Sequence, residues 1–269
     1  MRRAVLFLLL LGVTFAYAQS YRRGGRYRPA APPAGVEDLT WEVDPKFKRD
    51  VFTFVRIRYY SSWRESWDTD YPDSDQNFSF RLQQLTSLKV NPNPVILELT
   101  DPELFQYPWI YIIEPGRLVF SEEEVTALRR YLLTGGFLMV DDFWGEDEWQ
   151  NFYEQIKRVF PDREPLELPP DHAIFNCVFP LKSKPQIPSI YHAMSAQGTD
   201  VTWERWDAQT PHYKGIYDDK NRLMVVICHN TDLGDGWERE GENEYYFREF
   251  SEKSAYPLGI NIVFYAMTH

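Results

Sequence analysis

A chain of 269 residues that is 43% hydrophobic and 16% aromatic has enough apolar mass for a packed core, which excludes the disordered class. Its net charge of −11 understates the acidity of the body, because Arg2, Arg3, Arg22, Arg23, Arg26 and Arg28 all lie in the first 28 residues, which hold no Asp or Glu. Such a body repels phosphate backbones and excludes nucleic acid as a partner, whereas a cation, a cationic partner or a neutral sugar suits it.

In chain order, Arg2-Arg3, an apolar run from Ala4 to Val13 and the small-residue triplet Ala16-Tyr17-Ala18 are the three parts of a signal peptide over residues 1–18, cleaved after Ala18. The apolar run is shorter than the roughly 20 residues a span needs, and no second one follows. The expectation is an exported protein, periplasmic or extracellular, with no transmembrane span after cleavage. Residues 19–50 read as a flexible basic, Pro-rich tether with too few aliphatic side chains to order itself, and residues 51–269 as a single α/β domain.

Within that domain, residues 52–59 read as a strand, and Phe78, Leu82 and Leu85 repeat at helical spacing over 78–89. Residues 95–99 and 109–113 are compact apolar strands. Ser121 followed by Glu124 is a capping box, which starts a helix ended by Gly135-Gly136. Residues 137–140 form another apolar strand, and Trp149, Phe152, Ile156 and Val159 stripe a helix over 146–160. Residues 165–209 are Pro-rich and read as irregular; 223–228 is one more buried strand, and 257–267 a closing helix with Pro257 in its first turn. Short apolar strands alternating with amphipathic helices predict a mostly parallel sheet covered by helices on both faces.

Ligands of such sheets bind at the carboxyl ends of the strands, so the turns there are the candidate site. After the first strand come Trp67, Asp70, Tyr71 and Asp75; after the third, Glu114; after the fourth, Asp141, Asp142 and Trp144; after the last, His229, Asn230, Asp232, Asp235 and Trp237. Gathered carboxylates repel one another and call for a cation. Asp141, Asp142, His172, His229 and Asp232 are the candidate ligands of a divalent cation, and Trp67, Trp144 and Trp237 the candidate platforms for a sugar ring. Neither zinc spacing nor the twelve-residue calcium loop occurs. Two plainer roles compete: helix capping for Asp141-Asp142, and a tight self-bonded turn around Gly234 and Gly236.

No catalytic residue is assigned. Cys228 beside His229 lacks the elbow that exposes a nucleophile, because adjacent strand residues face opposite ways, and no Gly-x-Ser-x-Gly or phosphate-cradling loop is present. Cys177 and Cys228 either pair, as an oxidising compartment permits, or stay separate buried thiols.

Several stretches in order resemble the family of domain of unknown function 4159. They are Trp67-Asp68-Thr69-Asp70-Tyr71-Pro72 through Asp75, Asn77 and Phe78; Arg81-Leu82; Leu128 to Leu132 with Gly135-Gly136-Phe137-Leu138; Asp141-Asp142-Phe143; Asp171-His172; His229-Asn230 with Asp232 to Glu238; and the terminal Tyr265 to His269. The resemblance implies a flavodoxin-like three-layer α/β/α sandwich similar to class I glutamine amidotransferases, without their catalytic cysteine elbow and therefore without their activity. It also implies envelope assembly or scaffolding. The expected function is a non-catalytic envelope module that binds a glycan, a cation or a protein partner; the alternative is a metal-assisted hydrolase of an envelope polymer.

Overall fold

Residues 109–113 are apolar throughout and residues 137–141 until Asp141, and each becomes a strand buried on both faces: β3, Trp109–Ile113, and β4, Phe137–Asp141. The computed structural model describes residues 41–44, 46 and 50–269. The expected signal peptide and most of the expected tether lie outside the described residues; Trp41, inside them, packs on Phe80 and donates its indole N–H to the Val90 carbonyl at 2.7 Å.

Around these two strands stand β1 (Val55–Ile57), β2 (Val95–Leu97), β5 (Leu166–Glu167), β6 (His212–Tyr217) and β7 (Leu223–His229), in one seven-stranded sheet of order β2-β1-β3-β4-β7-β6-β5. β2, β1, β3, β4 and β7 run parallel, with Ile113 level with Asp141 and Val140 level with Ile227; β6 pairs antiparallel with β7, and β5 antiparallel with β6. The order turns back between β1 and β3, since β2 lies on the other side of β1, and connections leaving in opposite directions open a crevice there.

Strand alternation divides the core. Trp109, Tyr111, Ile113, Met139 and Cys228 face one layer, packed by α1 (Asp73–Leu85) through Phe78 and Leu82, by α5 (Leu233–Glu238) through Trp237 and by α7 (Tyr256–Thr268) through Ile260 and Val263. Ile110, Ile112, Leu138, Val140 and Ile227 face the other, covered by α2 (Glu122–Leu133) through Leu128 and Leu132 and by α3 (Gly145–Val159) through Phe152, Ile156 and Val159. The protein is thus an α/β fold with a mostly parallel sheet and helices on both faces.

Three elements differ from expectation. α1 begins at Asp73 rather than at 78, with Asp73 and Asp75 in its first turn, where the helix dipole favours them. The stretch read as irregular contains the edge strand β5 and the short helix α4 (Ile190–Ser195), and β6 follows it. The C-terminal helix starts early, as α6 (Glu244–Tyr246), and passes through a nine-residue π-helical segment, Phe247–Ala255, before becoming α7. Cys177 and Cys228 are free thiols, Cys177 half-buried against the Asn261 carbonyl and Cys228 buried.

Candidate functional site: a carboxylate cleft at the strand ends

The first residue after β3, β4 and β7 has a left-handed backbone in each case: Glu114 at φ 45°, Asp142 at φ 55° and Asn230 at φ 60°. Asp70, in the long turn after β1, adopts φ 62°. A left-handed non-glycine residue costs roughly 1 kcal/mol, least for Asp and Asn, so the surroundings must hold each one. Two are held by backbone bonds: Glu114 N–H bonds the Asp141 carbonyl at 3.1 Å and Asn230 N–H the Phe143 carbonyl at 2.9 Å, while the Tyr59 hydroxyl lies 2.7 Å from the Ile113 carbonyl and 2.8 Å from that of Glu114.

The Asp70 turn is fastened by one buried cation. Arg56 on β1 is fully enclosed and spends all five N–H groups: Nε on Asp75 Oδ2 at 3.0 Å, the two terminal nitrogens on the carbonyls of Trp67 (3.1 Å) and Thr69 (2.8 Å), on Ser74 Oγ (2.9 Å) and on the second Asp75 oxygen. Its Cζ lies over the Tyr111 ring, 5.2 Å from the centroid. Asp75 is therefore the counter-ion of Arg56, and Trp67 and Tyr71 belong to the same fastened turn, their rings 6.5 Å apart.

These turns border one cleft of about 730 Å³, whose walls include Asp70, Glu114, Asp142, Trp144, Asp232 and Asp235. Carboxylate oxygens of Asp70, Asp142 and Asp232 all lie within 4.8 Å of one another, and so do those of Asp70, Asp235 and Glu238. Burial raises the affinity of Asp70 for a proton well above the usual carboxylate range, with Glu238 and Asp235 adding to it; burial does the same for Asp142, helped by Glu114 and Asp70, and for Asp232, helped by Asp142 and Asp235. Glu238 is pushed up to about 7, by burial first, despite Arg239 at its side.

Asp141 does not join them. Its Oδ2 accepts the Leu233 and Gly234 amides at 2.9 and 3.0 Å and the Tyr111 hydroxyl at 3.1 Å, so it braces the start of α5, and burial sets its pKa at about 7. Asp232 caps the same helix through the Asp235 amide at 2.7 Å, so the expected tight turn around Gly234 is a short helix. Asp142 is not a helix cap: its Oδ1 accepts the Trp144 indole N–H at 3.0 Å, and the free amides of α3 go to Asn230 Oδ1 (Gly145, 2.9 Å) and Asp207 Oδ2 (Glu146, 3.1 Å).

Both histidines fall outside the cluster. His172 sits by Tyr217, which pairs with the first residue of β7, at the opposite end of the sheet from the cleft. His229 is packed between Phe143 and Trp149 with Nε2 3.1 Å from the Gly145 carbonyl, and burial lowers its pKa to about 4. The sugar platforms also move. Trp237 is fully buried among Phe54, Phe78 and Tyr111, and Trp144 is 4% exposed. The aromatic rings that stand in solvent on the cleft walls are Trp63, 82% exposed, and Tyr191, 75% exposed.

Arginines also ring the mouth. Arg64 forks onto Glu114 at 2.9 and 3.1 Å, Arg205 pairs with Glu148, Arg239 bonds Asp235 at 3.2 Å, and Arg117 is exposed. The rim is therefore mixed in sign over an acidic floor. An exposed Trp or Arg in a polar loop leaves no periodic trace, so these positions had no sequence signal beyond their neighbourhood to Asp70.

An α/β fold whose parallel strands end in a carboxylate cleft defines the general class. The chain belongs to the family described as Domain of unknown function (DUF4159), whose model matches residues 53–267 and so takes in every strand and the whole cleft. No curated protein matches the sequence.

Proposed function

We propose that the protein is an exported, non-catalytic binding module that holds an envelope glycan in the cleft at the strand ends, and through it serves envelope assembly or scaffolding. The observation that carries this reading is the pairing of exposed rings, Trp63 and Tyr191, with buried carboxylates on the walls of one cleft. Flat rings cover the apolar face of a pyranose while carboxylates accept from its hydroxyls. Export rests on the three-part leader at residues 1–18, and it accords with the described residues, among which no helix is long and apolar enough to cross a membrane.

The finer fold assignment belongs to the same proposal. Numbered along the chain, the five parallel strands run 2-1-3-4-5, the flavodoxin-like order, in which ligands lie where the order turns back. Likeness to class I glutamine amidotransferases is confined to architecture, because Cys228 lies within β7, buried, with no turn to expose it. The metal-assisted hydrolase remains the second reading, favoured by the convergence of Asp70, Asp142 and Asp232; it has lost both histidines as acid-base groups.

Calorimetric titration of soluble envelope glycan fragments tests the proposal. Wild type should bind at least one class, and Trp63→Ala and Tyr191→Ala should each weaken binding about tenfold. A full panel with no binder, or binding untouched by both substitutions, removes the reading.

A further inference from the structure

The carboxylates of the cleft floor have too few cations of their own. Among the described residues no lysine or arginine forms an ion pair with Asp70, Asp142 or Asp232; Arg56, whose charge acts on Asp70, has no N–H left, and Arg239 is taken by Asp235, Glu238 and Glu242. One oxygen of Asp70, Oδ2, is completely enclosed and has no hydrogen-bond partner. Buried polar atoms are nearly always satisfied, and a bare carboxylate oxygen among like charges is the costliest exception.

We infer that Asp70, Asp142 and Asp232 bind a hard divalent cation of the Ca²⁺ class, with Asp70, Asp235 and Glu238 forming an adjoining position that shares Asp70. The ligand set is oxygen only, which selects Ca²⁺, Mg²⁺ or Mn²⁺ over zinc or copper. Ca²⁺ bonds of 2.3–2.6 Å place opposed ligands about 4.6–5.2 Å apart, and the three oxygens already lie within 4.8 Å. Three carboxylates leave several coordination positions facing the cleft. This deepens the proposed function: sugar hydroxyls or an acidic sugar would complete the shell. Cation binding itself does not depend on that ligand.

The test uses the purified protein stripped with EDTA and titrated with Ca²⁺, Mg²⁺ and Mn²⁺, read by calorimetry, thermal melting and the Mn²⁺ paramagnetic resonance signal. Expected are a Kd for Ca²⁺ of about 10⁻⁵–10⁻³ M and a Tm raised by several degrees at saturation. Asp70→Asn, which strikes both positions, should lose binding at least tenfold; Asp142→Asn should lose the first position and keep the second, while the exposed Asp162→Asn should bind as wild type. Should Asp70→Asn fail to fold, Asp142→Asn carries the comparison. No heat and no Tm change with any of the three ions at millimolar concentration overturns the inference, as does undiminished binding by both variants. Cation binding without glycan binding sinks only the proposed function; glycan binding that is equal in EDTA and in Ca²⁺ sinks the cation's part in it.

Discussion

Replacing Asp142 with Asn in the metal-free protein should stabilise it, an unusual outcome for a half-buried, hydrogen-bonded polar residue. The amide keeps an acceptor for the Trp144 indole N–H, and Asn tolerates the left-handed backbone at φ 55° as Asp does. What changes is charge. Two unit charges 4.8 Å apart repel by about 3.5 kcal/mol at an effective dielectric of about 20, and Asp142 has two such neighbours, Asp70 and Asp232, within that distance. Shared protons already relieve part of this, since burial and mutual repulsion raise the pKa values of all three. A net gain of about 1–3 kcal/mol is expected, or a Tm higher by roughly 2–10 °C for a domain of this size. Melting in EDTA at pH 7.5 measures it, and saturating Ca²⁺ should narrow or invert the gap, because wild type gains from both cation positions and the variant only from the one that lacks Asp142. A variant that melts below wild type in EDTA, as the simple loss of a hydrogen-bonded group would dictate, refutes the argument that these carboxylates are uncompensated.

Four further outcomes follow from the same structure. Arg56→Met leaves Asp75 buried without its cation and should cost about 3–5 kcal/mol in denaturant unfolding, with loss of cation binding because the Asp70 turn comes loose. Gly234→Ala places a methyl carbon 2.7 Å from Asp70 Oδ2; calorimetry should show weakened cation binding even though alanine is the better helix former. His229, with its folded pKa lowered to about 4 from an ordinary 6.5, contributes stability that is complete above pH 6.5 and is lost as pH falls toward 4, at most about 3 kcal/mol; the difference in unfolding free energy between wild type and His229→Gln should shrink over that window. Mass spectrometry of the protein recovered from a secreting host should give a mature N-terminus at Gln19, and an intact Met1 in the processed fraction would remove the export proposal.

Much of the architecture was legible because burial writes a plain pattern. Residues 109–113 and 137–140 are apolar in sequence because helices cover both faces, and Ser121 with Glu124 forms its capping box at 3.2 and 2.7 Å as the spacing predicts. The turns bearing Asp70, Asp142 and Asp235 were legible as strand ends, and they border one cleft. What pattern could not give was the partner of each polar residue. Arg56 and Arg58 look equivalent in Val55-Arg56-Ile57-Arg58, yet Arg58 reaches Glu98 in solvent while Arg56 is sealed against Asp75. Histidine and tryptophan misled for a related reason: both are amphipathic, so their identity does not say whether a cleft or the core receives the ring. The antiparallel pair β5 and β6 at one end of the sheet escaped because a two-residue ladder and the alternating His212 to Tyr217 run carry little apolar signal.

The π-helical segment governs the angular phase of the C-terminus. Tyr246, before it, sends its hydroxyl to the Pro188 carbonyl at 2.8 Å, and Tyr256, after it, sends its own to Glu240 at 2.5 Å, so two anchors on one helix are clocked by the wider turns between them. Removing one exposed residue there, such as Glu252, would tighten the coil toward α geometry and swing one anchor by about 100° relative to the other. Pro188 precedes Ile190, whose amide bonds Asp235 on the cleft wall, so a change in helix pitch in the layer that also holds α5 would be felt as a displaced wall of the binding cleft.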